Sequence, residues 1–387
     1  MQFFKEFQNK KINILGMMSG TSGDGIDGAL VEFLPNGCYQ LVWGDHYDFS
    51  REIVNRLKKI MNSGNADDLT LAGSYVAELY VEAVAQFKKN HPEGVDFVAA
   101  HGQTLWHSPE SKEMDGRIVR GSFQAFNSSW FAEKSGICVI SDFRARDLAV
   151  EGQGAPLVPF ADLRFFGALP GDTAALNVGG IANFTIIRHT SKAFVECAYD
   201  SGPANMLMDL LAFRISKGSC NFDKDGKMAA KGKTDEKLLK KLMEEEYFFR
   251  KPPKSTGREK FSEDYFNEIV RSNPTLMEFD LMSTLLDFTV NSIVDSLERF
   301  VLPTGALKRL IIAGGGALNT EFVRRLREKM RRSCEIFFSD DFGVPVLLRE
   351  AMAFAALGEA FIRGVPSNVP AATGAKKEVI LGVFTPC

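Results

Sequence analysis

The sequence predicts an α/β protein built from two lobes, and three observations lead to this fold class. Strand and helix patterns alternate along most of the chain. A length of 387 residues is more than one hydrophobic core normally organises. One arrangement, an apolar strand, a small-residue turn and a second apolar strand, occurs in both "ILGMMSGTSGDGIDGALVEF" and "ALNVGGIANFTII". We therefore expect two lobes of one plan, each presenting a glycine-lined hairpin.

The first half of the chain opens with two predicted strands, "INILGMM" and "GALVEFL", on either side of a polar, glycine-rich loop. The apolar residues of "LTLAGSYVAELYVEAVAQFKKN" recur at helical spacing and the stretch ends in lysines, which predicts a helix. The stretch "DFVAAHGQTLWH" then predicts a short buried strand that stops at a polar loop.

The second half repeats this alternation. We predict a strand, a glycine turn and a strand in "AALNVGGIANFTIIR", and a strand, a loop over residues 200–205 and a helix in "FVECAYDSGPANMLMDLLAFRI". A buried strand, a triple glycine and a helix capped by Asn319 or Thr320 follow in "RLIIAGGGALNTEFVRRLREKM". "REAMAFAALGEAFI" predicts another helix. The charged stretch "MEEEYFFRKPPKSTGREKF" predicts an exposed loop.

Composition excludes several classes of protein. A net charge of −3 gives no electrostatic basis for binding nucleic acid or a membrane surface, and the basic stretch "EFVRRLREKMRR" is typical of the solvated face of a helix. Neither a signal-peptide core nor a run of about 20 apolar residues is evident in the sequence. Six cysteines without CxxC spacing indicate reduced, buried thiols. We expect a cytoplasmic protein with neither a nucleic-acid nor a membrane partner.

The opening loop has the composition of a phosphate-binding turn. Glycines permit positive φ angles and a close approach of ligand to backbone, and hydroxyls add donors; the residues concerned are Ser19, Gly20, Thr21, Ser22, Gly23 and Gly25. Asp24 and Asp27 would repel a bare phosphate, but they fit if Mg²⁺ lies between carboxylate and phosphate. The Walker pattern is absent, and a tight hairpin turn without a ligand is the alternative interpretation.

Two further glycine turns strengthen the nucleotide hypothesis. Gly179 and Gly180 lie in a second hairpin that also contains Asn183. Gly314, Gly315 and Gly316 lie between a strand and a helix, where a nucleoside can rest against bare backbone. Asn319 occupies the last glycine position of a dinucleotide fingerprint, so that motif is absent. Two phosphate hairpins with a nucleoside platform are the layout of the actin-like, sugar-kinase and Hsp70 superfamily.

Candidate chemistry lies at predicted strand ends. Asp200 precedes a Gly-Pro turn and is a candidate general base or metal ligand, with an Asx turn or a helix cap as the alternative. His101 and His107 lack the spacing of a helical metal pair, so we expect a structural or sugar-contacting role. Arg144 and Arg146 suit carboxylate or phosphate recognition, and equally a structural ion-pair network.

Taken together, the motifs resemble those of the anhydro-N-acetylmuramic acid kinase family. They follow in family order over almost the whole chain: "MSGTSGDGID", "HGQTLWH", "DFRARDLAVEGQGAPLVP", "LNVGGIANF", "YDSGPANMLMD", "FDKDG", "PKSTGRE", "GGGALN", "EAMAFA" and "NVPAATGA". The resemblance implies a two-lobed actin-like (ribonuclease H-like) ATPase fold with an interlobe active-site cleft. We expect one lobe over residues 1–145 plus about 366–387, with the first phosphate loop. The other lobe, residues 146–365, would carry the second phosphate loop and the nucleoside site.

The resemblance also implies an activity. Enzymes of this family use ATP and Mg²⁺ to open 1,6-anhydro-N-acetylmuramic acid with water and to phosphorylate O6, in cell-wall recycling, and they are typically homodimers. Asp200 matches the family's general base. Residues 20–25 would face the phosphates with Asp24 near the metal, and Gly179, Gly180 and Asn183 would form the second phosphate hairpin. Gly314–Gly316 together with Asn319 would bind the nucleoside. Thr104, Arg146 and Glu350 match positions that face the sugar.

The chain departs from the family pattern at a few positions. Gly23 replaces a leucine, Ala204 and Glu151 replace glycines, Asp162 replaces a histidine, and "QAFNSSW" replaces a "QIGD" type of loop. The last three lie on the expected sugar side. A kinase of another anhydro sugar such as levoglucosan is therefore one alternative, and a catalytically silent nucleotide-binding regulator is the other.

Overall fold

The computed structural model describes residues 3–20, 23–257 and 260–387, and the chain divides into two compact units. Unit 1 comprises residues 1–165 and 348–387, and unit 2 comprises residues 166–347. The strands are β1 (Ile12–Met18), β2 (Gly25–Phe33), β3 (Tyr39–Asp48), β4 (Phe97–Ala100), β5 (Gln103–Met114), β6 (Arg117–Ala125), β7 (Val139–Ser141), β8 (Thr173–Val178), β9 (Ile181–His189), β10 (Ala193–Pro203), β11 (Arg309–Ala313), β12 (Glu335–Phe338) and β13 (Val383–Thr385). The helices are α1 (Arg51–Ser63), α2 (Ala66–Asn90), α3 (Ser128–Ser135), α4 (Ala145–Ala149), α5 (Val158–Phe166), α6 (Asn205–Ile215), α7 (Glu236–Met243), α8 (Glu263–Ser272), α9 (Glu278–Phe300), α10 (Thr320–Met330), α11 (Arg349–Arg363) and α12 (Pro370–Thr373).

The two units share one sheet topology. In unit 1 the strand order is β13-β7-β4-β1-β2-β3, and in unit 2 it is β10-β9-β8-β11-β12. Each sheet has an antiparallel meander of three strands, β1-β2-β3 or β8-β9-β10, whose first strand pairs in parallel with the next strand of the sheet. Two units with this shared order are characteristic of the actin-like ATPase fold, so the predicted fold class is confirmed.

The predicted helices α2 and α10 form where a stripe of apolar side chains follows directly after a capping residue. In α2 the side chain of Asn65 accepts from the amide of Asp67, and Tyr80 and Phe87 are buried against the unit 1 sheet. In α10 the side chain of Asn319 accepts from the amide of Phe322, which confirms Asn319 as the cap. The helix α9 is buried along most of its length and forms the centre of the unit 2 core.

The units divide at different residues from those that we predicted. Residues 146–165 and 348–365 lie in unit 1, whereas the sequence analysis assigned them to the second lobe. A buried ion pair connects these two segments within unit 1: Arg349 donates to both carboxylate oxygens of Asp162, at 2.8 and 2.5 Å. This pair joins α5 to the start of α11, and it explains why an aspartate occupies position 162.

Helix α11 also packs directly on strand β1, and Gly16 makes this possible. A Cβ atom on Gly16 would overlap the carbonyl oxygen of Ala351 and lie 2.6 Å from the amide nitrogen of Ala355. We expect Gly16→Ala to lower the free energy of unfolding by about 1–3 kcal/mol, because the helix must move away from the strand. Urea unfolding measures this loss. Gly121→Ala is the matched control, since a Cβ atom there meets nothing within 4 Å; equal losses in the two variants would contradict the packing argument.

Three local predictions are wrong. "HGQTLWH" is not a polar loop, because β5 begins at Gln103 and pairs with β6. Residues 200–203 continue strand β10, which leaves Ala204 as the only connection to α6. The stretch after α7 is not an exposed loop, since Tyr247, Phe248 and Phe261 are at most 2% exposed. These aromatic rings pack into the unit 2 core, which a pattern of charges and prolines does not reveal.

The thiols agree only in part with the prediction. All six cysteines are free, but Cys38, Cys220 and Cys387 are exposed rather than buried.

Candidate active site

The opening loop of unit 1 is held by a buried amide side chain. Gln103, at the start of β5, donates from Nε2 to the carbonyl oxygen of Gly20 at 3.1 Å. The Ser19 hydroxyl lies 2.7 Å from Gln103 Oε1 and 2.9 Å from the carbonyl oxygen of Gly25. The Ser19 hydroxyl is therefore engaged in shaping the loop. Thr21 and Ser22, which we also predicted to bind phosphate, lie outside the described residues.

The turn that follows exposes a carboxylate. Gly23 has a φ angle of +62° and donates its amide to the Gly20 carbonyl oxygen at 3.1 Å. Asp24 is exposed, and its carbonyl oxygen accepts from the amide of Phe49 at 2.8 Å. The backbone of Asp24 is thus fixed while its side chain reaches solvent, where a metal-bound ligand can approach it.

The second aspartate of the loop motif, Asp27, has a different partner. Its Oδ1 lies 2.7 Å from His46 Nδ1 on the neighbouring strand β3. This hydrogen bond raises the pKa of the His46 imidazole. Asp27 therefore joins two strands of the meander below the loop.

A second group of polar side chains in unit 1 surrounds Arg144. Arg144 donates to the Gly154 carbonyl oxygen at 2.7 Å and to His101 Nε2 at 2.9 Å. Burial lowers the pKa of Arg144 to about 10, and the nearby Glu350 carboxylate opposes that shift. Burial raises the pKa of the Glu350 carboxyl, and the charge of Asp27 adds to the increase. Arg144, His101 and Glu350 thus form a cluster whose charges are poorly hydrated, as is typical of functional sites.

The other two predicted sugar residues lie outside this cluster of contacts. Arg146 is exposed on α4, and its guanidinium donates to the carbonyl oxygen of Ile380 at 3.1 Å. Thr104 is half-buried on β5, and its hydroxyl accepts from Gln124 at 3.4 Å. Neighbouring Asp147 is buried and structural, because its carboxylate accepts from Gly154, Asn368 and Thr373 at 2.8 Å each. Of the two arginines in this motif, Arg144 rather than Arg146 interacts electrostatically with Glu350.

In unit 2 the predicted residues lie together at one edge of the sheet, where the ends of strands β8, β9 and β10 meet. Asn183 on β9 is paired with Asp200 on β10 and with Asn177 on β8, so three polar residues form a row across three strands. Gly179 and Gly180 form the turn between β8 and β9, and both of their carbonyl oxygens accept hydrogen bonds. The Gly179 oxygen accepts from the amide of Asn205 at 3.0 Å, and the Gly180 oxygen accepts from the amide of Ala204 at 2.9 Å. The hairpin is therefore fixed against the start of α6, next to Asp200.

The triple glycine of unit 2 lies beside the same row. A Cβ atom on Gly314 would lie 2.6 Å from Asn177 Oδ1, and one on Gly316 would overlap a methyl group of Val178. Gly315 is exposed, and a Cβ atom on it would meet nothing within 4 Å. Gly314 and Gly316 thus let β11 lie close to β8, while Gly315 offers open backbone to a ligand. Asn319 uses its side chain as a helix cap.

Asp200 is the most constrained residue of this edge. Its carboxylate Oδ2 accepts from the amide of Thr256 at 2.9 Å, and its carbonyl oxygen accepts from the Tyr247 hydroxyl at 2.8 Å. Both partners come from the stretch that we predicted to be an exposed loop. Sequence reasoning named Arg144 only as a general candidate for anion recognition, and it missed Tyr247, Thr256 and Asn177. Thr256 and Asn177 lay in motifs that had been recognised, whereas Tyr247 did not.

Two further searches cover only the parts of the chain that the structure describes. Among residues 3–20, 23–257 and 260–387, no group of three or more His, Cys, Asp or Glu side chains could hold a metal ion. No helix within those ranges is long and apolar enough to span a membrane.

The pH dependence of stability tests the environment of His101. Burial and the Arg144 charge lower the pKa of His101 to about 3, so the folded protein holds it neutral while the unfolded chain takes up a proton near pH 6.5. Stability is therefore lost as pH falls below 6.5. Between pH 7.5 and pH 5 we expect wild type to lose about 2 kcal/mol more than His101→Gln. Urea unfolding of both proteins at the two pH values measures this, and equal losses would show that His101 is protonated in the folded state.

Comparison with known proteins identifies relatives over almost the entire chain. The family model described as "Anhydro-N-acetylmuramic acid kinase" matches residues 12–387.

Curated relatives with the name "Anhydro-N-acetylmuramic acid kinase" agree with this match. The relative from Caldanaerobacter subterraneus subsp. tengcongensis is 35% identical over 380 residues, which cover 95% of this chain and 96% of the relative. The one from Salinibacter ruber is 37% identical and covers 95% of both chains. The one from Clostridioides difficile is 35% identical and covers 96% of this chain and 98% of its own.

Proposed function

Because the chain belongs to the anhydro-N-acetylmuramic acid kinase family, we propose that it uses ATP to open 1,6-anhydro-N-acetylmuramic acid and to phosphorylate O6. The products are N-acetylmuramate 6-phosphate and ADP, in the recycling of cell wall and the catabolism of amino sugars. The observation that carries this proposal is the carboxylate of Asp200, which is held by a backbone donor at the sheet edge that also carries both glycine turns of unit 2.

The anhydro sugar has no O6 proton to remove, so the base must act on the water that attacks C1. Asp200 takes a proton from water, the water oxygen bonds to C1, and the C1–O6 bond breaks. The electron pair left on O6 then bonds to the γ-phosphorus of ATP, and ADP leaves. The Thr256 amide at 2.9 Å from Asp200 Oδ2 fixes the plane of the carboxylate, so the proton acceptor is oriented before the substrate binds.

We propose that Arg144, Glu350 and Thr104 of unit 1 recognise the sugar. Arg144 offers a rigid fork of donors that suits the lactyl carboxylate of the substrate, and its contact with His101 holds that fork in place. Glu350 is an acceptor for sugar hydroxyl or amide groups. Arg146 matches the family pattern, but its contact with the Ile380 carbonyl indicates a structural role.

For the nucleotide, we propose that the unit 1 loop and the 179–180 hairpin contact the phosphates and that residues 314–316 carry the nucleoside. The open backbone at Gly315 supports this assignment. Mg²⁺ supplies charge neutralisation at the phosphates when bound. Mg²⁺ at a nucleotide needs only one or two carboxylates besides phosphate and water, so the exposed carboxylate of Asp24 fits such a site.

Substitution of Asp24 tests this metal assignment. We expect Asp24→Asn to shift the Mg²⁺ dependence of turnover to higher concentrations by about tenfold, because the ion loses a charged ligand. Thermal unfolding checks that the fold is intact. Identical Mg²⁺ titrations for wild type and variant would leave Asp24 as a turn residue only.

A coupled assay of ADP release over a panel of anhydro sugars tests the function itself. We expect release with 1,6-anhydro-N-acetylmuramic acid and much weaker release with levoglucosan, which lacks the lactyl and N-acetyl groups. A preference for levoglucosan would establish the first alternative. Absence of release with every sugar would establish a nucleotide-binding regulator. Neither alternative is favoured, because the curated relatives bear the name of the muramic acid kinase over nearly their full length.

We further propose that the protein is a cytoplasmic homodimer, since ATP is a cytoplasmic substrate and the family resemblance implies a dimer. The β5–β6 hairpin supports an interface because it exposes apolar side chains, among them Trp106 at 68% and Ile118 at 67%. Light scattering after size-exclusion chromatography would then give twice the 42.8 kDa chain mass.

A further inference from the structure

One segment of unit 2, residues 247–256, makes three hydrogen bonds to Asp200. The Asp200 amide donates to the Lys254 carbonyl oxygen at 3.0 Å. The Asp200 carbonyl oxygen accepts from the Tyr247 hydroxyl at 2.8 Å, and Asp200 Oδ2 accepts from the Thr256 amide at 2.9 Å. The backbone donor, the backbone acceptor and the carboxylate of this aspartate therefore all depend on the same segment.

Asp200 depends on these bonds because it lies at an irregularity of its strand. The register of β10 against β9 shifts between Asp200 and Gly202. A β-bulge interrupts the ladder and leaves backbone groups without their regular partners. Segment 247–256 supplies hydrogen-bond partners at this bulge. The same hydrogen bonds fix the orientation of the Asp200 carboxylate.

The segment is in turn fastened by a buried amine. Lys254 is 9% exposed, and its Nζ donates to the carbonyl oxygens of Tyr247 and Phe248 at 3.2 and 3.4 Å. The same Nζ lies 4.7 Å from the ring centroid of Tyr247 and 4.9 Å from that of Phe300. A buried ammonium group requires such acceptors and ring faces, so Lys254 holds the two ends of the segment together. Consistent with this enclosure, burial lowers the pKa of Lys254 to about 8.

We propose that Tyr247 and Lys254 are positioning residues that hold the Asp200 carboxylate in the orientation needed for catalysis. This inference rests on the proposed function, because it assigns Asp200 the role of base. Each side chain acts through the segment and through the backbone of Asp200.

Two variants test the proposal. Tyr247→Phe removes only the hydroxyl that bonds to the Asp200 carbonyl oxygen, and Lys254→Met keeps the length of the side chain but removes its charge and donors. A misplacement of about 1 Å costs roughly 10²-fold in rate, so we expect kcat to fall by about 10–100-fold in both while the KM values for ATP and sugar change by less than about threefold. Tyr265→Phe is the matched control, since the Tyr265 ring packs on Phe261 in the same unit and Tyr265 lies outside segment 247–256.

A second readout does not depend on turnover. Amide hydrogen exchange of the peptide that contains Asp200 reports the bond from the Asp200 amide to Lys254. We expect faster exchange there in Tyr247→Phe and Lys254→Met, and unchanged exchange in Tyr265→Phe. If Lys254→Met does not fold, as judged by thermal unfolding, Tyr247→Phe alone decides.

The two hypotheses fail in different ways. A wild-type protein that releases no ADP with any anhydro sugar overturns the proposed function, and the exchange measurement still decides whether the segment holds Asp200. Unchanged exchange together with near-normal kcat in Tyr247→Phe overturns the positioning role. Equal losses of kcat in Tyr247→Phe and Tyr265→Phe also overturn it, since they indicate general destabilisation.

Discussion

Asp200→Asn is expected to lower kcat by roughly 10²–10⁴-fold, which is the usual contribution of a positioned general base. The substitution is nearly isosteric, and an asparagine oxygen can still accept from the Thr256 amide, so we expect the variant to fold and to bind both substrates. Steady-state kinetics measure the loss, and calorimetric titration of nucleotide and sugar checks that binding persists. Near-normal turnover would leave Asp200 with a purely structural role.

The fate of the water oxygen provides an independent check of the same mechanism. In H₂¹⁸O the label should appear at the anomeric oxygen of the sugar phosphate when product is trapped before exchange. Label in free phosphate would indicate that water attacks ATP rather than C1.

The second large effect is expected at Arg144. Arg144→Leu removes the donors to Gly154 and His101 and one of the two cations near Glu350, the other being Arg349, so we expect kcat/KM for the sugar to fall by about 10²-fold or more. Arg144→Lys restores the charge without the planar fork, and we expect it to recover only part of the loss. Nucleotide affinity in the absence of sugar should stay the same.

Arg146 is the matched control for this prediction. It lies two residues further on and its guanidinium is exposed, with one bond to the Ile380 carbonyl. We expect Arg146→Leu to change kcat/KM by less than about threefold. The opposite order of effects would return sugar recognition to Arg146, as the motif comparison alone had assigned it.

Much of the fold follows from local signals in the sequence. The hairpins around residues 19–24 and 179–180 were predictable because glycines separate two apolar strands, and the cap at Asn319 was predictable because capping depends on nearest neighbours. Asp200 was proposed as the base because a carboxylate at a predicted strand end can accept a proton and because it matches the family's general base. These features depend on short stretches of neighbouring residues, so a single sequence is enough to predict them.

The remaining features depend on contacts between distant parts of the chain. The Arg349–Asp162 pair joins α5 to α11 within unit 1, yet nothing near either residue in the sequence identifies its partner. The sequence alone does not distinguish the roles of Arg144 and Arg146. In the structure α4 begins between them, at Ala145, and Arg144 lies inward while Arg146 faces solvent. Tyr247 lies among charged residues and prolines, which conceal its burial.

The discontinuity of unit 1 has a consequence for synthesis on the ribosome. Strand β1 is translated before unit 2, but Ala351, which covers Gly16, and strand β13, which completes the sheet edge beside β7, are translated after it. Unit 2 is continuous, so its core can close while unit 1 still lacks α11. The usual order, in which the N-terminal domain of a nascent chain folds first, is then reversed. Until α11 has been translated, the surface of β1 that this helix covers stays exposed on the nascent chain.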